Sequence, residues 1–363
     1  LQKDIHMLHT VVMAGGSGTR FWPVSRKELP KQFLKLFGDR SMIQQAVDRC
    51  ESLAPADRTW IVTGAAHAEE TQRQLPGLGH SHILVEPCGR NTAPCIGLAA
   101  LRLVMEDPEA VMLVTPADHV IQPTSEFVVA VRRAIDTVQQ QPEKLCLFGI
   151  VPTRPATGYG YIERGQPLPD VDRVFQVVRF REKPNQETAQ EFLEAGTFLW
   201  NSGIFVWRAD TILRALAQYQ PELSAGLNRI RERTPAEGFS AAMAAEFASL
   251  PSISIDYAVL EKSRDVCVLE APFGWDDVGS WAALSRLHPQ DAQGNTALGK
   301  FIGLETSGCT VYSTGNHLIA TIGLSDCVVV HTPDATLVAR LDDEAQLRDL
   351  IKALETGGHQ ALL

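Results

Sequence analysis

The segment Val11-Val12-Met13-Ala14-Gly15-Gly16-Ser17-Gly18-Thr19-Arg20 carries an apolar run straight into three glycines within four positions. Without Cβ atoms the backbone there turns tightly, and a curled run of N–H groups holds an anion well. Two familiar phosphate loops are excluded by spacing. A Walker A loop needs four residues between its first glycine and Gly-Lys-Ser/Thr, and a dinucleotide fingerprint needs a glycine where Phe21 stands. Cations follow the glycines: Arg20, Arg26, Lys27, Lys31 and Lys35. The chain as a whole is acidic, with 33 Lys and Arg against 43 Asp and Glu, a formal charge of −10. Cations gathered beside a glycine turn in such a chain suit a polyanionic ligand, most simply a triphosphate; the plainer alternative is a solvated surface. The same acidic balance argues against nucleic acid as a partner.

Elements that would position this loop are readable from periodicity. His9–Met13, Trp60–Thr63, Ile83–Val85, Val111–Thr115 and Leu145–Val151 read as short buried strands. Between them, Ser41 caps a helix with Ile43, Ala46, Val47, Cys50 and Leu53 on one face. Further helices cover Ala93–Met105 and the stretch marked by Phe127, Val131, Ile135 and Val138. This alternation predicts an α/β domain with a mostly parallel sheet, Rossmann-like, covered by helices on both faces. Ligands then gather at the C-terminal ends of the strands, and Asp118, just beyond Val111–Thr115, falls at that edge. Past about residue 290 the rhythm changes to short strands at Lys300–Leu304, Thr310–Tyr312, Leu318–Ile322, Cys327–His331 and Ala335–Ala339, followed by an amphipathic helix at Asp343–Leu354. The expected division is therefore an α/β domain over 7–288 and a small all-β module over 289–363.

Apolar residues make up 45% of the 363, enough for a substantial core and too many for disorder. The richest apolar stretch, Leu98–Met105, is too short to span a membrane and is interrupted by Arg102. Seven scattered cysteines without a CxxC pair read as small buried hydrophobes in a reducing, cytoplasmic setting, and the ten histidines show no metal-protease spacing. Leu1–His6 has no signal-peptide core; His6–Met7 reads as a junction, with Met7 the expected native start.

Gly15-Gly16-Ser17-Gly18-Thr19-Arg20-Phe21-Trp22-Pro23-Val24-Ser25-Arg26 followed by Pro30-Lys31-Gln32-Phe33 resembles the signature of the sugar-nucleotide pyrophosphorylases, in particular those that act on GTP and mannose 1-phosphate. Four further segments match in the same order. They are Glu86-Pro87-Cys88-Gly89-Arg90-Asn91-Thr92-Ala93-Pro94, Pro116-Ala117-Asp118-His119, Glu182-Lys183-Pro184 with Trp200-Asn201-Ser202-Gly203, and Gly274-Trp275-Asp276-Asp277-Val278-Gly279-Ser280-Trp281.

The resemblance implies a glycosyltransferase-A-like nucleotidyltransferase domain, a β-helix-like tail and a homodimer. It implies in-line attack of the sugar phosphate on the α-phosphate of GTP, with Mg2+. Ala14, Gly15, Gly16, Ser17, Gly18, Thr19 and Arg20 would cradle the nucleotide, with Glu86, Pro87, Asn91 and Thr92 against the purine. Arg20 and Lys31 would face the phosphates, and Asp118 and Asp277 would hold the metal. Gly158, Gly160, Glu182, Lys183 and Asn201 would meet the sugar phosphate. Asp276, beside Asp277, falls in the variable slot of the motif; the roles of Glu163 and Asp256 stay open. The alternatives are the same chemistry on another hexose or heptose 1-phosphate or another nucleotide, and a non-catalytic nucleotide-sugar-binding subunit. A fused isomerase domain, carried by some relatives, is not expected here.

Overall fold

The computed structural model describes residues 7–16 and 19–363, so Ser17, Gly18 and the His6–Met7 junction lie outside or at the edge of the described residues. Two compact units are present. One runs from the start of the chain to Gly15 and includes Gln44–Ala117 and Ile121–Trp275; the other comprises Gly16–Ile43, Asp118–Val120 and Asp276–Leu363. The units are thus assembled from separated segments. Gly16, residues 19–43 and Asp118 group with the C-terminal β-rich residues.

The first unit is built on a nine-stranded sheet. In chain order its strands are β1 (Leu8–Ala14), β2 (Thr59–Gly64), β3 (Ile83–Glu86), β4 (Val111–Pro116), β5 (Leu145–Ile150), β6 (Tyr161–Pro167), β7 (Val174–Arg181), β8 (Phe198–Arg208) and β9 (Val266–Glu270). They lie in the order β3-β2-β1-β4-β8-β5-β9-β7-β6. β1 is parallel to both neighbours, with Val11 opposite Trp60 and Val114. The expected parallel arrangement holds from β3 to β4 and again between β5 and β9. Between these halves β8 runs antiparallel to β4 and β5, so the sheet is mixed.

The reason lies in the β8 sequence, Phe-Leu-Trp-Asn-Ser-Gly-Ile-Phe-Val-Trp-Arg. It is apolar on both faces, as a central strand must be, but its polar centre hides the run from a periodicity reading. Leu199, Phe205 and Trp207 enter the core on one face of the sheet, while Phe198, Trp200, Ile204 and Val206 enter the core on the other. Helix Thr92–Glu106 covers the first of these cores and begins at Asn91, whose side-chain Oδ1 accepts from Thr92 N at 2.9 Å.

The second unit contains the one-turn helices Thr19–Phe21 and Lys31–Phe33 and six short strands: β10 (Thr296–Leu298), β11 (Lys300–Leu304), β12 (Thr310–Ser313), β13 (Leu318–Ile322), β14 (Cys327–His331) and β15 (Thr336–Arg340). β10, β12 and β14 stack in parallel, as do β11 and β13, which gives successive β-helix-like coils. β15 turns back antiparallel on β14. Asn295 secures the first coil by donating to Thr306 O at 2.9 Å and accepting from Cys309 N at 3.0 Å. Phe21, Trp22, Val278, Trp281, Val328 and Val330 share this unit's core, and Trp281 Nε1 donates to Trp22 O at 3.1 Å. The terminal helix spans Leu347–Thr356 rather than starting at Asp343; Leu341–Gln346 winds as a tighter 3-10 turn first. Among the described residues no helix is long and apolar enough to cross a membrane.

Candidate active site

Within the second unit, charge converges on Lys31. Its residue is 6% exposed, and its ammonium lies 2.8 Å from Asp118 Oδ2 and 2.5 Å from the main-chain oxygen of Asp277. One cation therefore ties together two segments about 160 positions apart. The Asp118 side chain remains 35% exposed. Burial pushes its carboxyl up, but the Lys31 ammonium outweighs this with help from His119, and the group is held below the usual carboxylate range. Asp118 is thus an ionised, reachable acceptor at neutral pH.

The adjacent pair Asp276 and Asp277 divides its work. Asp276 accepts from Val278 N at 2.8 Å and is gripped by Arg286 at 2.8 and 3.1 Å, which spends its carboxylate on holding the turn. Asp277 gives its carbonyl to Lys31, and its carboxylate lies over Gly279, where an added Cβ would approach Oδ2 to 3.0 Å. Between them Val278 adopts φ 47°, a left-handed conformation costly for a β-branched residue and typical of a strained functional turn. Gln32 donates to Gly16 O at 3.3 Å and so steadies the loop. Arg20, on the one-turn helix that follows the loop, is exposed and has no ion pair among the described residues.

The residues present fit Mg2+. Asp118 and Asp277, both engaged by Lys31, supply the two carboxylates that could face such an ion. That is the sparse, hard-oxygen set expected when phosphates and waters complete an octahedral ion.

In the first unit, Ala14 and Gly15 end β1, and Glu86 ends β3. Glu86 is 6% exposed; Oε1 has no hydrogen-bond partner among the described residues, and Oε2 would lie 3.7 Å from a Cβ at Gly15. Burial without a counter-charge pushes its carboxyl up to about 7. Asn91 and Thr92 serve the helix start: Thr92 Oγ1 accepts from Ile255 N at 2.8 Å, in addition to the Asn91 cap.

A second cluster in this unit joins the expected sugar residues. Lys183 Nζ pairs with Glu182 at 3.0 Å, Lys183 N donates to Tyr159 O, and Asn201 N donates to Gly160 O at 2.8 Å. A Cβ at Gly160 would come within 2.5 Å of Glu182 Oε2, so a side chain there would displace that carboxylate. Asn201 Nδ2 reaches Asp256 Oδ1 at 2.9 Å, which brings in a residue whose role the sequence left open. Arg154, unmarked by any motif, donates to Tyr159 OH at 3.1 Å and lies over the Tyr159 and Trp200 rings. Glu163 is engaged by Arg179 at 3.1 Å.

Residues 9–294 match the nucleotidyl transferase family model. The chain belongs to the nucleotidyl transferase family. Residues 299–354 of this nucleotidyl transferase match a second model, the MannoseP isomerase/GMP-like beta-helix domain. The chain is 38% identical to a mannose-1-phosphate guanylyltransferase of Escherichia coli, over 96% of this chain and 76% of that protein. It is 38% identical to alginate biosynthesis protein AlgA of Pseudomonas putida, over 97% and 72%. Xanthan biosynthesis protein XanB of Xanthomonas campestris is 41% identical over 96% and 73%. Among solved structures, mannose-1-phosphate geranyltransferase from Thermus thermophilus superposes with a TM-score of 0.86 at 33% identity, covering 96% of this chain and 99% of that one. The nucleotidyl transferase is therefore an enzyme of nucleotidyl transfer with a β-helix-like C-terminal domain, as its sequence signature implied.

Proposed function

We propose that the enzyme joins GTP and mannose 1-phosphate into GDP-mannose and releases pyrophosphate. A phosphate oxygen of the sugar forms a bond to the α-phosphorus, and the bond from that phosphorus to the bridging oxygen breaks, its electron pair leaving with pyrophosphate. Two anions must meet, so positioning and charge neutralisation dominate the barrier. The observation that carries this reading is the Lys31 ammonium between the Asp118 carboxylate and the Asp277 carbonyl. Lys31 orients the two acids and keeps Asp118 ionised. Bound Mg2+, held by Asp118 and Asp277, would neutralise charge developing on the phosphates. Arg20 meets the triphosphate beyond the glycine loop, and Lys183 meets the sugar phosphate.

Guanine presents N1–H and N2–H2 as donors. Glu86, desolvated and without a partner at Oε1, is suited to accept both. Adenine offers no such pair of donors on that edge, so this residue favours GTP. A silent binding subunit would have no need for the full set of Arg20, Lys31, Asp118, Lys183 and Asp277.

Pyrophosphate release measured with GTP, ATP, UTP and dTTP, each against mannose, glucose and heptose 1-phosphates, tests the reading. GTP with mannose 1-phosphate is expected to give the highest kcat/KM. A higher value for another pair assigns the same chemistry to that pair and overturns this one.

A further inference from the structure

Asn201 was expected to meet the sugar, but its amide is largely spent on the protein. Its Nδ2 donates to Asp256 Oδ1 at 2.9 Å and its Oδ1 accepts from Gly203 N at 3.2 Å, while its main-chain N holds Gly160 O at 2.8 Å. Asn201 therefore works as a bracket. At one end it fixes Gly160, whose Cα position leaves no room for a side chain beside Glu182 Oε2 and Asn201 Cβ, at 2.5 and 3.3 Å from an added Cβ. At the other end it fixes Asp256, the first residue of the short π-helical turn Asp256–Leu260.

Asp256 is partly exposed, so the bracket presents it rather than seals it. Glu182 stands on the other side of Gly160, its side chain 9% exposed and paired with Lys183 through Oε1. Two acids thus share one small polar patch with the Lys183 ammonium. Burial, and then the charge of Glu182, push the Asp256 carboxyl up to about 6, against the opposing pull of Ser254 and Lys183. Asp256 already accepts from Asn201 Nδ2, from Ser254 and from a main-chain N–H, and Glu182 pairs with the Lys183 ammonium. Two carboxylates offer more acceptor sites than these donors use, and neighbouring hydroxyl groups would fill the remainder, each O–H donating to one acid in a short charge-assisted bond.

We infer that Asp256, held by Asn201, is a specificity-determining residue that works with Glu182 to bind adjacent hydroxyls of the hexose. The assignment rests on the proposal that the enzyme takes a sugar 1-phosphate. It replaces Asn201 with Asp256 as the hydroxyl reader and makes Asn201 a positioning residue. A sugar lacking the hydroxyl that Asp256 accepts leaves that acid desolvated and unpaired, which is how a polar pocket rejects a near-isostere.

The test is calorimetric binding of mannose 1-phosphate and its 2-, 3- and 4-deoxy forms to the wild-type chain, to Asp256→Asn and to Asp256→Ser, which keeps an oxygen for Asn201. Thermal melting confirms that each variant is folded. Both variants are expected to bind mannose 1-phosphate at least about tenfold more weakly with GTP affinity unchanged, and one deoxy form is expected to bind wild type and variants equally. Equal losses with every deoxy form, or parallel losses for sugar and GTP, make Asp256 a scaffold residue only and overturn the inference. If wild type prefers another hexose 1-phosphate, the mannose reading fails by itself, and the same deoxy series on that hexose decides the role of Asp256. If no hexose 1-phosphate binds wild type, both fall.

Discussion

Glu86 and Lys31 illustrate opposite uses of burial. Glu86 is a desolvated acid with no counter-charge, so its ionised form is disfavoured in the folded chain. Because its folded pKa is raised, the folded state is free of that penalty at low pH, loses stability progressively as pH climbs from the ordinary value of 4.5, and carries the full penalty above about 7. Glu86→Gln is therefore expected to raise thermal stability at pH 8, by up to roughly 3 kcal/mol, while lowering the preference for GTP over ATP. Melting curves at pH 6 and 8 check the first effect, and nucleotide competition checks the second. An equal melting shift at both pH values would show that burial of the charge is not the cause.

At the cation, the sign reverses. Lys31 holds Asp118 below its ordinary range, so the stability this pair contributes is present at neutral pH and is lost as pH falls through the depressed pKa. Lys31→Met leaves burial unopposed, and the acidic limb of the kcat profile is expected to move to higher pH. The two aspartates of the Trp-Asp-Asp-Val-Gly run should separate cleanly. Asp277→Asn is expected to lower turnover at least about a hundredfold with little change in melting. Asp276→Asn, which releases Arg286 and Val278 N, should lower the melting temperature and largely spare turnover. The reverse pattern would exchange their roles.

At the level of elements, the strands that carry the site were legible because they are short, apolar and ended by Gly or Pro. β1 and β4 extend the expected His9–Met13 and Val111–Thr115 by one residue at one or both ends. β8 was not legible, since Asn201-Ser202-Gly203 breaks its apolar pattern for a reason outside local propensity: Asn201 holds Asp256, 55 positions away. Asp256 and Arg154 escaped for a related reason. Their meaning depends on which side chains the sheet brings beside them, and a single sequence does not give that spacing. Of the residues expected against the purine, Asn91 also caps the following helix and Thr92 also holds Ile255 N. Two glycines, by contrast, are interpretable only with coordinates. Gly279→Ala would press a methyl group against Asp277 Oδ2, and Gly160→Ala would do so against Glu182 Oε2. Gly279→Ala is expected to depress kcat, whereas Gly160→Ala should raise the KM for the sugar phosphate and leave that for GTP unchanged. Steady-state kinetics with each substrate varied in turn distinguishes them.

Taken as a whole molecule, the chain distributes its chemistry. Glu86, Glu182, Lys183 and Asn201, proposed for the purine and the sugar phosphate, lie in one compact unit, and Arg20, Lys31, Asp118 and Asp277, proposed for the triphosphate and the metal, lie in the other with the β-helix-like strands. Ile302, Leu304, Leu318 and Ile322 stand 54–77% exposed on the outward positions of β11 and β13, with Leu304 beside Ile322 in register. Contiguous exposed apolar residues of this size mark an interaction surface. We expect a homodimer that uses this face, and Ile322→Glu should give a monomer by light scattering; a strictly monomeric wild type at micromolar concentration would refute it.

The central claim is that Asp118 and Asp277, organised by Lys31, hold one divalent ion for the phosphates of the nucleotide. Mn2+ titration in the presence of GTP, followed by electron paramagnetic resonance, measures it directly in wild type, Asp118→Asn, Asp277→Asn and the double variant. The account predicts one ion per chain that each single change weakens, with a double variant well short of the summed losses. An Mn2+ affinity untouched by Asp277→Asn, or losses that simply add, would contradict it.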